Sequence, residues 1–188
     1  MPDFILKPLT ALGRDAPVVE HIGPWTLTER ADVALASLAL RRGREAQVRE
    51  LAVQADLPLP TAAMAAQGPT WGAFWMTPEM WMVEAPIASH EDIRAHLLAI
   101  FGEAASITEQ TDAWVRFDLG GEGLVRVLER LSNFDLGRAA AGSATRTGVE
   151  HLGCYLIKRS EALVTLYGPR SSAGSLHHAL VVAAKSVL

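Results

Sequence analysis

A single cysteine, Cys154, stands in 188 residues. An intramolecular disulfide is therefore impossible, and a cysteine-rich zinc site is excluded. Charge of one sign is also scarce: 17 lysines and arginines face 21 aspartates and glutamates, for a formal net charge of −4. That mildly acidic balance argues against a nucleic-acid groove or an anionic membrane surface as the main partner. No apolar run approaches the roughly 20 residues of a membrane-spanning helix. Met1 to Lys7 lacks the basic stretch and long apolar region of a secretory signal. The expectation is a soluble, cytoplasmic protein with neither nucleic acid nor membrane as partner. Aromatic residues make up only 6% of the chain, yet five of them are tryptophan: Trp25, Trp71, Trp75, Trp81 and Trp114. Tryptophan favours cores and interfaces, and the crowding of Trp71, Trp75 and Trp81 calls for a reason.

With 49% hydrophobic residues, the chain can bury a sizeable core without staples. Residues 1–29 read as irregular, an extended N-terminal arm, because Pro2, Pro8, Pro17 and Pro24 interrupt any helix. Its short apolar runs are Phe4-Ile5-Leu6 and Pro17-Val18-Val19. From Asp32 the pattern is regular. Val33 to Leu40 alternates as a strand, with Val33, Leu35, Ser37 and Ala39 on one face. Arg44 to Asp56 reads as a helix and Thr61 to Pro69 as a loop. Thr70 to Met76 and Met80 to Glu84 form a hairpin, and a helix capped by Ser89 runs to Phe101. The same order then repeats. Ala113 to Leu119 is a strand, Glu122 to Leu131 a helix, and His151 to Lys158 with Ala162 to Tyr167 a hairpin. A last helix is capped by Ser171 or Ser172. Asp32 and Asp112 are 80 positions apart, and Ala73 and Cys154 are 81 apart. A near-constant offset over a whole strand–helix–strand–strand–helix unit marks an internal duplication. The expected fold class is α+β, two tandem ferredoxin-like (split βαβ) repeats with mostly antiparallel sheets. Repeats at residues 30–105 and 106–188 would form one compact unit, with Ser106 to Gln110 as an additional strand between them.

Catalytic equipment is thin. His177 and His178, adjacent on the last helix, diverge by about 100°. His151 and Cys154 lie three apart on a strand and face opposite sides of it, so they make no nucleophile pair. Cys154 reads as a small buried hydrophobe. Gly120-Gly121-Glu122-Gly123 lacks the spacing of a dinucleotide fingerprint and the lysine of a P-loop, and reads as a turn starting a helix. No carboxylate pair stands out as acid and base. No residue is assigned as catalytic, cofactor-binding or metal-ligating.

Three stretches carry a resemblance. They are Trp75-Met76-Thr77-Pro78-Glu79-Met80-Trp81-Met82-Val83, the run from Ile107-Thr108-Glu109-Gln110-Thr111 through Leu128-Glu129-Arg130-Leu131 to Asp135-Leu136, and Arg146-Thr147 with Glu150-His151-Leu152 followed by Arg170-Ser171-Ser172-Ala173-Gly174-Ser175-Leu176. Together with Leu38-Ala39-Leu40-Arg41-Arg42-Gly43, these make the chain resemble the gamma subunit of heterotetrameric sarcosine oxidase. The resemblance implies a non-catalytic subunit scaffolding a complex that demethylates sarcosine oxidatively to glycine, with tetrahydrofolate as one-carbon acceptor. The implied partners are alpha, beta and delta subunits. FAD, FMN, NAD, tetrahydrofolate and zinc would belong to those partners, with no cofactor on this chain. The fold also resembles, more distantly, the folate-binding T-protein of the glycine cleavage system. That group's Asp-x-Ser motif is replaced here by Glu109 and Thr111, and its additional C-terminal domain has no counterpart.

Two other readings stay open: a stand-alone folate or one-carbon binder of the T-protein type, and a ferredoxin-like dimer that binds a small molecule. The isolated chain could self-associate. The second repeat fills its hairpin with aliphatics where the first has tryptophan. Trp71, Trp75 and Trp81 are therefore either a local packing cluster or part of a docking surface, with Arg146, His151, Arg170, Ser171, Ser172 and His177 as further interface candidates.

Overall fold

A computed structural model describes residues 7–188; the Phe4-Ile5-Leu6 run lies outside the described residues. The fold is α+β, and every strand pairing within its two sheets is antiparallel. The elements run β1 (Val19–Ile22), β2 (Trp25–Arg30), β3 (Val33–Leu40), α1 (Glu45–Gln54), β4 (Ala65–Gln67), β5 (Gly72–Thr77), β6 (Met80–Pro86) and α2 (Ile93–Phe101). Then follow β7 (Ala105–Glu109), β8 (Trp114–Gly120), α3 (Val125–Leu128), β9 (Ala144–Val149), β10 (Leu152–Ser160), β11 (Leu163–Pro169) and α4 (Ala173–Lys185).

Two sheets result, ordered β4-β5-β6-β3-β7 and β1-β2-β8-β11-β10-β9. The first contains a complete βαββαβ unit made from β3, α1, β5, β6, α2 and β7. In the second, β8, α3, β10, β11 and α4 supply everything except the last strand. That strand is β2, paired with β8 from Thr26 opposite Gly120 to Arg30 opposite Arg116. The repeat explains the arrangement. β2 and β7 begin 80 residues apart, β3 and β8 81, and α2 and α4 80. The leading strand of each repeat therefore joins the sheet of the other. This corrects the expectation of an irregular segment up to residue 29: residues 19–30 are two strands of the second sheet. Ser106 to Gln110 does form a strand, as an edge of the first sheet.

The sheets pack face to face with helices outside, in four layers. The first outer core joins Val48, Ile93, Leu97 and Phe101 of the helices to Leu38, Trp81 and Val83. The second joins Val127, Leu128, Leu176 and Leu180 to Trp25, Phe117 and Leu156. The face of β3 bearing Val33 and Leu35 turns inward together with Phe74 and Met82 of the same sheet, against Tyr155, Ile157 and Tyr167 of the opposing sheet. Phe74 stacks on Tyr167, with ring centroids 5.4 Å apart. At one edge the sheets are tied together: Ala65 N–H donates to Gly142 O at 2.6 Å and Ala144 N–H to Ala63 O at 2.8 Å.

Four local expectations need correction. Within the loop expected over Thr61 to Pro69, Ala65–Gln67 forms β4, paired with β5. Asp92, not Ser89, caps α2, its carboxylate accepting from Ala95 N–H at 2.9 Å; Ser89 instead lies 2.9 Å from His90 Nδ1. The helix expected over 122–131 shrinks to Val125–Leu128, because Gly123 has φ +68° and breaks helical geometry before it. Neither Ser171 nor Ser172 makes a side-chain cap; Arg170–Ser172 is a 3₁₀ turn leading into α4. The Gly120–Gly123 turn serves β2. Gly121 has φ +134°, and a Cβ there would lie 2.5 Å from Pro24 O. The turn thus seats Trp25, whose indole N–H donates to Glu122 O at 2.8 Å.

Cys154 is fully buried in the second outer core, and burial pushes its thiol up to about 11. Thiolate is the reactive form, so the native chain is expected to resist a disulfide-exchange reagent at pH 8. Titration should release one equivalent only as denaturant unfolds the protein. Native labelling at the rate of a free thiol would contradict this burial.

Candidate functional site: the cleft between the sheets

Polar residues in otherwise apolar strands mark the intersheet layer. In β8, residues 115, 117 and 119 face the helices, so Arg116 and Asp118 share the inner face with Trp114. Asp118 accepts both prongs of Arg116, Nε and Nη2, at 2.9 Å each. It also accepts from Thr165 Oγ1 at 2.7 Å and Arg30 Nη1 at 3.2 Å. Arg30 in turn holds Asp32 at 2.6 Å, and its hydrogen bonds draw the Asp32 carboxyl below the usual range.

Glu84 on β6 is the one carboxylate that the first sheet's strands contribute to this network. Its Oε1 accepts from Arg159 Nη2 at 2.6 Å and from Tyr167 Oη at 3.0 Å, and its Oε2 stands 3.8 Å from Arg116 Nη1. Three guanidiniums (Arg30, Arg116, Arg159) thus meet three carboxylates (Asp32, Glu84, Asp118). Burial strongly raises the Tyr167 phenol, reinforced by the Glu84 charge, so Tyr167 is a neutral hydrogen-bond donor at ordinary pH. The network is charge-matched. It joins the two sheets.

Beside it opens a cavity of about 330 Å³. It lies where β3 and β8 begin and β2 and β11 end, under residues 8–17 of the N-terminal segment. That segment is anchored by Glu29, whose buried carboxylate accepts from Leu12 N–H at 3.0 Å and Val18 N–H at 3.1 Å. Arg170 Nη2 donates to Leu9 O at 3.1 Å. The positions corresponding to the Asp-x-Ser motif are spent locally. Glu109 accepts from Thr111 N–H at 2.6 Å, and Thr111 Oγ1 accepts from Leu35 N–H at 3.0 Å.

The interface candidates do not converge. Trp71 and Trp81 are buried at 6% and 3% exposure. Trp71 stands edge-on to His90, and the Trp81 indole donates to Pro60 O at 2.8 Å. Both are core residues with no face to offer a partner. Trp75 is half-buried beside Leu40 and Pro60. Arg146 and His151 are exposed at the β9–β10 hairpin, with the Arg146 guanidinium 5.9 Å from the Tyr155 ring centre. Ser171 is exposed, while Ser172 and Arg170 are half-buried. His177 packs on Phe117 and lies 3.3 Å from Glu20, tying α4 to β1.

Residue order alone does not single out Arg30, Glu84, Arg116, Asp118 or Arg159. The available signal was charge inside apolar strands, above all the i, i+2 pair Arg116 and Asp118. Among the described residues no three histidines, cysteines or carboxylates gather as a metal-ligand set. No described helix is long and apolar enough to cross a membrane.

No protein-family model and no curated protein matches the chain. Solved structures do. The chain is similar to one chain of the heterotetrameric sarcosine oxidase from Corynebacterium sp. U-96 in complex with pyrrole 2-carboxylate. That match has 18% identity and a TM-score of 0.75, covering 90% of this chain and 88% of that one. It is also similar to the glycine cleavage system aminomethyltransferase T from Bartonella henselae, at 13% identity and a TM-score of 0.62. There it spans 85% of its own length but 48% of the other. In fold, then, the chain resembles a subunit of heterotetrameric sarcosine oxidase and part of a glycine cleavage T-protein.

Proposed function

We propose that the chain is the gamma-type subunit of a cytoplasmic, heterotetrameric sarcosine oxidase, a scaffold without an active site of its own. Its partners are alpha, beta and delta subunits, which would carry FAD, FMN, NAD, tetrahydrofolate and zinc. The observation that carries this reading is the reciprocal coverage. The fold matches a chain of such a complex along nearly the whole of both lengths, whereas it matches only about half of the T-protein. The charge-matched intersheet network agrees, since it is built for rigidity rather than turnover. Arg146, His151 and Ser171 are the exposed docking candidates and Trp75, Arg170, Ser172 and His177 the half-buried ones, so contact with partners would be made through the hairpin ends and the turn before α4.

Co-expression with the three partner subunits tests the reading. The chain is expected to co-purify in one stoichiometric complex, and when purified alone to show no flavin absorbance. Failure to associate with the alpha subunit, or a flavin retained by the isolated chain, would overturn it.

A further inference from the structure

The cavity beneath the N-terminal segment plays no part in the scaffold reading, which needs no ligand on this chain. Its volume, about 330 Å³, is at the lower end of the range typical of small-molecule pockets, about 300–1,000 Å³. One wall is aliphatic, from Leu9, Val33, Leu35 and Ile87, and the rings of Trp114 and Tyr167 also line it. The charged groups at its margin differ in how fully they are satisfied. Arg30 grips Asp32 with two prongs and Arg116 grips Asp118 with two. Both oxygens of Glu29 are taken by main-chain N–H groups. Arg170 is different. Of its five N–H donors, one has a hydrogen-bond partner among the described residues, Leu9 O at 3.1 Å. Its ionic partner among the described residues, Asp112, stands 3.8 Å away with 86% of its side chain exposed.

A guanidinium that makes one hydrogen bond among the described residues, at the rim of an apolar cavity lined by rings, suits an anion with a hydrophobic body. We propose that this cavity binds a small organic carboxylate with a planar apolar body. Arg170 takes the carboxylate, and the body lies between the two rings and the aliphatic wall. The two neighbouring arginines give specificity by being unavailable: their carboxylate partners screen them, leaving one anion position.

Benzoate is a suitable probe and benzamide its neutral isostere, each titrated calorimetrically into the full-length chain. Benzoate is expected to bind with a Kd of about 1 mM or tighter, and benzamide about ten-fold more weakly or worse. Arg170→Gln should weaken benzoate by about ten-fold or more, with Arg170→Lys retaining part of the affinity. Ile87→Trp, which fills the cavity and leaves Arg170 in the chain, should abolish binding while thermal unfolding reports an intact fold. This second variant decides the matter if Arg170→Gln loosens the N-terminal segment. Absence of benzoate binding, equal binding of benzamide, or unchanged affinity in Arg170→Gln or Ile87→Trp would overturn the proposal.

Discussion

Glu84→Ala is expected to destabilise the protein by about 3–5 kcal/mol, the range found when one partner of a buried charge network is removed. The Glu84 side chain is 5% exposed, so water cannot take over its role. Its loss strands Arg159, whose Nη2 approaches it at 2.6 Å, and deprives the Tyr167 hydroxyl of its acceptor. Removing a buried partner costs more than the net worth of the interaction, because the groups left behind are desolvated and unpaired. In a protein of this size the change corresponds to a fall in Tm on the order of 10 °C. Glu84→Gln, which keeps the shape and loses the charge, should fall between wild type and alanine. Arg138→Ala provides the contrast. Arg138 is 91% exposed and 3.7 Å from Asp135, and its loss should stay within about 0.5 kcal/mol. Denaturant unfolding of the three variants checks the series. A loss below about 1 kcal/mol for Glu84→Ala would show that the network does not hold the sheets together.

Truncation to a chain starting at Asp32 should have a still larger effect: no cooperatively folded protein. The cut removes β1 and β2, and with them Trp25 and Leu27, which are buried at 2% and 1% exposure. It also removes the anchor Glu29 and uncovers the β8 edge from Arg116 to Gly120. Burying a large apolar side chain contributes about 1.5–3 kcal/mol. Two such residues plus five lost ladder positions rival the whole stability of an ordinary domain, about 5–15 kcal/mol. The exposed edge is a template for aggregation. Supplying residues 7–31 as a separate peptide should restore folding in part, since β2 is joined to β3 only by the short turn at Ala31 and Asp32. A truncated chain with native circular dichroism and a sharp thermal transition would mean that the second unit does not need its exchanged strand.

The duplication was legible because both repeats keep the same periodicities, and the strand over Val33–Leu40 was readable to the residue. Its alternation also separated the Val33, Leu35, Ser37 face from its opposite. Neither repeat by itself indicates what that face meets. The β2 strand was missed for a physical reason. It is six residues long, bounded by Gly23-Pro24 and the Ala31-Asp32 turn, and its partners on β8 lie 86 to 94 positions away. β9 was missed similarly: its Thr145-Arg146-Thr147-Gly148 core has little apolar content, and pairing with β10 sustains it. The cleft was illegible because its charges lie far apart along the chain. Glu84 and Arg159 are 75 positions apart, and Arg30 and Asp118 are 88 apart. Pairwise proximity of that kind is a property of topology.

The two closely spaced indoles Trp71 and Trp81 now have separate explanations, each a core residue with its own neighbour, His90 or Pro60. The lone cysteine, the balanced charge and the repeated strand–helix pattern are matters of composition and local period. From the sequence alone they determined an α+β duplication with no disulfide. Tertiary structure decided the exchange of leading strands between repeats, the closing of two sheets over six paired charges, and the placing of Arg170 beside a cavity. These depend on which distant faces meet once apolar surface is buried. Burial is non-directional, so it is the hydrogen-bonded register of β2 on β8 and the reach of Glu84 across the sheets that select one arrangement.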